Sequence, residues 1–163
     1  LCHVDQHKYQ RLLLSGTPVD ADTSGAPHLM YKVNTNCMGC HLKKTLSNGH
    51  DVRTASGETC AACHTEEHKN MLDDWKQTLN KEVASAEELE AETNALLNEL
   101  KPSLTQQQLK AARVMIDKGS ELINIVRVGN GVHNKKYAIN ILDAAFVKFE
   151  DSIELLEASR KSD

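Results

Sequence analysis

Aromatic side chains are scarce: two Phe, one Trp and three Tyr make up 4% of the 163 residues. So few large rings leave a core of this size short of bulk, and something else is expected to fill part of the interior. No apolar run approaches the roughly 20 residues needed to cross a bilayer, so no transmembrane segment is expected. A basic excess is also missing. With 19 Lys and Arg against 23 Asp and Glu, the formal net charge is -4, which argues against a nucleic-acid partner. At 26% charged and 40% hydrophobic, the composition excludes a disordered acidic tail as well. The length suits one ordinary domain or two very small ones.

What the chain does hold is five Cys and eight His, unevenly spread. All the Cys and seven of the eight His fall within residues 1–70. That stretch carries seven cationic and seven anionic side chains, whereas residues 71–163 carry twelve and sixteen, with a single His. The sequence therefore divides into a Cys- and His-rich front, 1–70, and a back, 71–163. Turn clusters punctuate the front at Gly16-Thr17-Pro18, Ser24-Gly25-Ala26-Pro27, Ser47-Asn48-Gly49 and Ser56-Gly57. Neither a period of 2 nor one of 3.6 lasts long enough there to predict a strand or a long helix. So irregular a unit needs a staple, whether disulfide, metal or cofactor.

The back reads as three antiparallel helices joined by short loops. Leu72, Trp75, Leu79, Ala86, Leu89, Leu96 and Leu100 share one face, and Pro102 ends that helix. Thr105 followed by Gln108 is a capping box for a second helix, striped by Leu109, Ala112, Ile116, Gly119, Ile123 and Val126. Gly129-Asn130-Gly131 should end it. A third is predicted from about His133 or Asn134, with Ala138, Leu142, Ala145, Phe149, Ile153 and Leu156 inward. The expected fold class is mainly α, with a loop-rich front followed by this long-helix region.

The chemistry lies in two C-x-x-C-H motifs, Cys37-Met38-Gly39-Cys40-His41 and Cys60-Ala61-Ala62-Cys63-His64. Their spacing is that of c-type haem attachment. Each thiol adds its S–H across one vinyl group of the porphyrin edge, and the adjoining His can reach the iron. Leu1-Cys2-His3 reads as the end of a third such motif. The same two Cys pairs, nineteen residues apart, also match a zinc ribbon. Zinc would need only the four thiolates and gives no reason for a His after each pair.

The other His extend the pattern. His28 stands nine positions before Cys37, and His50 ten before Cys60. His7 follows His3 by four, as His68 follows His64. Four residues apart on a helical turn, two imidazoles lie on the same face. The second then cannot reach the far side of its own haem and should serve a neighbour. Haem faces packed against leucines and against one another would supply the missing core.

Paired C-x-x-C-H motifs, long helices and the segment Gly131-Val132-His133-Asn134-Lys135-Lys136-Tyr137-Ala138 together resemble the C-terminal part of multihaem c-type cytochromes. The nearest lineage holds the pentahaem ammonia-forming nitrite reductases and the octahaem hydroxylamine-oxidoreductase-like proteins. The resemblance implies that His133 is a distal haem ligand and that the long helices build subunit interfaces, offering a homo-oligomer contact. It further implies a periplasmic or extracellular location. Two family features are missing: no C-x-x-C-K motif occurs, and none of Tyr9, Tyr31 or Tyr137 is marked out as a haem-linked tyrosine.

The cofactor-binding candidates are thus Cys2, Cys37, Cys40, Cys60 and Cys63. The proximal ligands would be His3, His41 and His64, and the distal candidates His7, His28, His50, His68 and His133. That set predicts at least two haems c on this chain, three with His3, and surplus ligands for haems upstream or on a partner. The expectation is a C-terminal piece of a longer cytochrome, whose signal peptide would lie upstream. Irons held by two His suit electron transfer between redox partner proteins rather than substrate binding. The alternative is part of a multihaem oxidoreductase acting on a small nitrogen or sulfur compound. A zinc-stapled helical interaction module is the remote one.

Overall fold

A computed structural model describes residues 7–33 and 35–160. The fold is mainly α, with 71% helix and 7% strand. In the front are α1 (Lys8–Ser15), α2 (Leu29–Lys32), α3 (Cys37–Cys40), strands β1 (Lys43–Ser47) and β2 (His50–Thr54), and α4 (Gly57–Ala61). The back comprises α5 (His68–Leu100), α6 (Gln106–Gly129), a 3-10 turn (Gly131–Asn134) and α7 (Lys135–Arg160). Among the described residues, no helix is long and apolar enough to cross a membrane.

The three long helices form for the reasons visible in their residues. Rich in Ala, Leu, Glu and Lys, α5 runs until Pro102 forbids another turn. At the start of α6, the Gln108 backbone N–H donates to Thr105 Oγ1 at 3.3 Å. In return the Thr105 N–H donates to Gln108 Oε1 at 2.9 Å, which completes the capping box. Asn130, at φ +52°, then turns the chain out of α6.

The helices run antiparallel. Arg127 of α6 pairs with Glu87 of α5, while Ser120 donates to Glu90. Between α6 and α7, Ser152 donates to the Ala112 carbonyl at 3.5 Å, and Phe149 lies over Gly119. A Cβ at Gly119 would come within 2.6 Å of that ring, so the missing side chain is what seats one of the few aromatics at the centre. The expected α6 stripe is buried at Ala112, Ile116, Gly119, Ile123 and Val126. Along α5 the buried line shifts slightly, to Leu79, Ala86, Thr93, Leu97 and Leu100.

The front is more ordered and more attached than its turn clusters suggest. β1 and β2 form an antiparallel hairpin, from Lys43 opposite Thr54 to Ser47 opposite His50. Its Asn48-Gly49 turn has φ of +49° and +79°, the two-residue type that matches strand twist. The expectation of no strand is corrected here. All ten strand residues are exposed, so no apolar alternation marks them. Meanwhile Leu13 of α1 is fully buried against Gly129, and residues 17–26 lie along α6 and α7. Tyr137 Oη donates to the Thr17 carbonyl at 2.7 Å, the Ser24 N–H donates to Asn140 Oδ1 at 3.1 Å, and Lys148 pairs with Asp22 at 2.6 Å.

Candidate haem-ligand site

The two C-x-x-C-H motifs adopt similar local structures. Cys37–Cys40 make one helical turn capped by Asn36, whose Oδ1 accepts the Met38 N–H at 2.9 Å. The His41 N–H then donates to the Cys37 carbonyl at 2.9 Å, carrying the imidazole out at the end of the turn. In the second motif the His64 N–H donates to the Cys60 carbonyl, also at 2.9 Å. Cys37 and Cys63 are exposed, and Cys40 and Cys60 are half-buried. Burial first, then the nearby Cys60, Cys37 and Cys63 thiols, push the Cys40 thiol pKa up.

Far along the chain, His133 in the 3-10 turn comes beside His41. Their ring centroids are 6.2 Å apart and their planes within 8° of parallel. Two imidazoles on opposite sides of one metal ion require about 6.3 Å. That is two metal–nitrogen bonds of about 2.0 Å plus about 1.1 Å from each ligating nitrogen to its ring centre. The hydrogen bonds agree. His41 Nδ1–H donates to the Arg53 carbonyl of β2 at 3.0 Å. His133 Nδ1–H donates to the Gly129 and Asn130 carbonyls at the end of α6, both at 2.9 Å. With the proton held on Nδ1, each ring keeps its lone pair on Nε2, the arrangement that orients imidazole ligands. His41, His133 and the adjoining thiols Cys37 and Cys40 are the residues that could hold a c-type haem here.

The second motif is arranged differently. His64 and His68 have ring centroids 4.6 Å apart at an interplanar angle of 21°, too close to hold one iron between them. They lie side by side, as the four-residue spacing implies. Gly57 brings α4 against the first turn of α5, where a Cβ would stand 2.1 Å from the Lys69 carbonyl oxygen. Thr65 Oγ1 lies 3.1 Å from His68 Nδ1.

The remaining candidates make other contacts. His28 caps α2, its Nδ1 accepting the Met30 N–H at 3.1 Å, which leaves the proton of the neutral ring on Nε2. Its ring meets Trp75 edge-on at 6.0 Å, and burial, with a smaller contribution from His133, holds its pKa below the ordinary value. His50 is exposed at the start of β2, and His7 is exposed just before α1. Cys2 and His3 lie outside the described residues. Among the described residues, no group of three or more His, Cys, Asp or Glu side chains is arranged to hold a metal ion. A zinc ribbon needs four thiolates converging on one point, whereas a haem needs one imidazole on each face.

The Arg53 carbonyl is not marked by any motif, and its one signal in the sequence is the Asn48-Gly49 turn after β1, which sets the register that brings Arg53 near His41. No family model, curated protein or solved structure matches the chain.

Proposed function

We propose that this chain is an electron-transfer protein carrying covalently bound c-type haems, one at Cys37 and Cys40 and another at Cys60 and Cys63. The observation that carries the reading is the His41–His133 pair: parallel imidazoles at the spacing of two axial ligands, each with Nδ1–H tied to backbone carbonyls. Haem would supply an iron centre that accepts and returns one electron. At the Cys37–Cys40 haem an imidazole on each face would leave no iron position open to substrate, which favours carriage over catalysis there. Donation from His41 and His133 Nδ1–H to carbonyls makes both rings more basic and fixes their orientation, so the chain itself tunes the potential.

The front's surface supports the same reading. Leu29, Tyr31, Val33, Met38, Leu42, Leu46 and Val52 are large apolar side chains exposed within one short stretch. Porphyrin faces packed there would remove that surface from water and complete a core short of aromatics. Covalent attachment of haem c takes place outside the bacterial cytoplasmic membrane, so the proposed location is periplasmic or extracellular. Redox proteins are the proposed partners.

Mass spectrometry of protein from its native host tests this reading. The expected result is a polypeptide mass raised by a whole number of haems, at least two, with sharp low-spin c-type bands in the reduced-minus-oxidised spectrum. An unmodified polypeptide with bound zinc would overturn it. Spectra unchanged by nitrite or hydroxylamine are expected of a carrier.

A further inference from the structure

We infer that Asn134 is a positioning residue that holds His133 at its place opposite His41, an inference that rests on reading that pair as axial haem ligands. Asn134 is buried, and its amide is fully used. Nδ2 donates to the Leu13 carbonyl at 3.0 Å and to the Ala26 carbonyl at 2.8 Å. Oδ1 accepts the Tyr137 N–H at 3.3 Å, which caps the first turn of α7. One side chain thus ties three things together: the end of α1, the far end of the segment that returns from it, and the start of α7.

These ties fix the turn carrying His133 from both sides. On one side His133 itself is bonded to the last carbonyls of α6. On the other, Asn134 is anchored to two backbone carbonyls that belong to the front. Ala26 is followed by Pro27 and His28, so the anchored segment leads directly to the ring beside Trp75. Neighbouring glycines allow the tight fit. A Cβ at Gly129 would stand 2.6 Å from Leu13 Cδ1, and one at Gly131 would stand 3.0 Å from the Ala138 Cβ. A buried amide with both donors and its oxygen engaged is costly to disturb, because any substitute leaves backbone carbonyls unpaired. The 3-10 turn therefore has one orientation, and with it the His133 ring.

Asn134→Asp keeps the cap oxygen for Tyr137 and removes both donors, turning carboxylate lone pairs toward Leu13 and Ala26 oxygens. In the haem-loaded full chain, this variant is expected to keep the wild-type haem count and far-UV circular dichroism. One haem should gain a high-spin fraction, and one reduction potential should shift. Asn134→Ser, which keeps an acceptor and one donor, should give a smaller change in the same direction and serves if the Asp variant does not fold. Leu97→Ala, in the core at the other end of α5, should lower the melting temperature without changing spin state or potential. A parallel measurement uses the full chain as isolated from its host, reduced so that any haem is diamagnetic. Nitrogen NMR of His133 should show the Nδ1–H form in the wild type and a tautomer mixture in Asn134→Asp. Wild-type spin state, potentials and tautomer in both Asn134 variants would overturn the inference. A wild-type protein without covalent haem would instead overturn the proposed function, and the tautomer would still decide the role of Asn134.

Discussion

The same five-residue motif occurs twice in the front, and the fold treats the two copies differently. At Cys37–His41, a second imidazole arrives from the far end of α6 at the separation of two axial ligands. At Cys60–His64, the nearest ring contact is with His68 on the same side, at 4.6 Å. A motif fixes where a porphyrin can be attached and which His lies on its near face. On the proposed reading, what occupies the far face depends on tertiary structure, at Cys37–His41 the 3-10 turn that carries His133.

Removing the thiols tests this comparison with the largest effect. Cys37→Ala with Cys40→Ala should lower the mass by one haem and leave the Cys60–Cys63 haem in place, as intact-protein mass spectrometry would read. If the four thiols instead formed a single centre, either double variant would abolish all bound metal.

A smaller effect distinguishes the sites by their neighbours. His68→Ala should leave the iron beside His64 with its near-face ligand and the total haem count unchanged, whereas His64→Ala should remove that ligand. Optical and electron paramagnetic resonance spectra of the two variants would separate them. Equal losses in both would mean that His64 and His68 act on one iron, against the 4.6 Å geometry.

The smallest effect concerns the hairpin that supports only the first site. Gly49 has φ +79°, where an L side chain is strained, so Gly49→Ala should cost about 1 kcal/mol of stability. Because the Arg53 carbonyl of β2 holds His41 Nδ1, loosening the turn should also shift the potential of that haem. Redox titration should show no shift at the Cys60–Cys63 haem.

Much of the back was legible because its determinants are local. Pro102, the Thr105–Gln108 pair and Gly129-Asn130-Gly131 mark boundaries through backbone sterics and nearby hydrogen bonds, which need no knowledge of the rest of the chain. The front was harder to read. Lys43–Ser47 and His50–Thr54 have no buried face, so the period-2 pattern is missing and only Asn48-Gly49 gives the hairpin away. Docking of α1 on α6 and the anchoring of Asn134 to Leu13 and Ala26 are long-range, and no local pattern encodes them. For the site, spacing marked the thiols and the adjoining His. The resemblance to multihaem cytochromes singled out His133, and only the three-dimensional structure pairs it with His41. His28, given the same distal role by its spacing, caps α2 through Nδ1, a contact its spacing did not announce.

The central claim is that His41 and His133 bind opposite faces of one iron, and His133→Ala tests it most directly. The spectrum of the haem-loaded variant should show one haem converted from low-spin to high-spin or solvent-ligated, with the haem count by mass unchanged. A spectrum that stays wholly low-spin, with no other His recruited, would contradict it and leave His133 as a helix-start residue only.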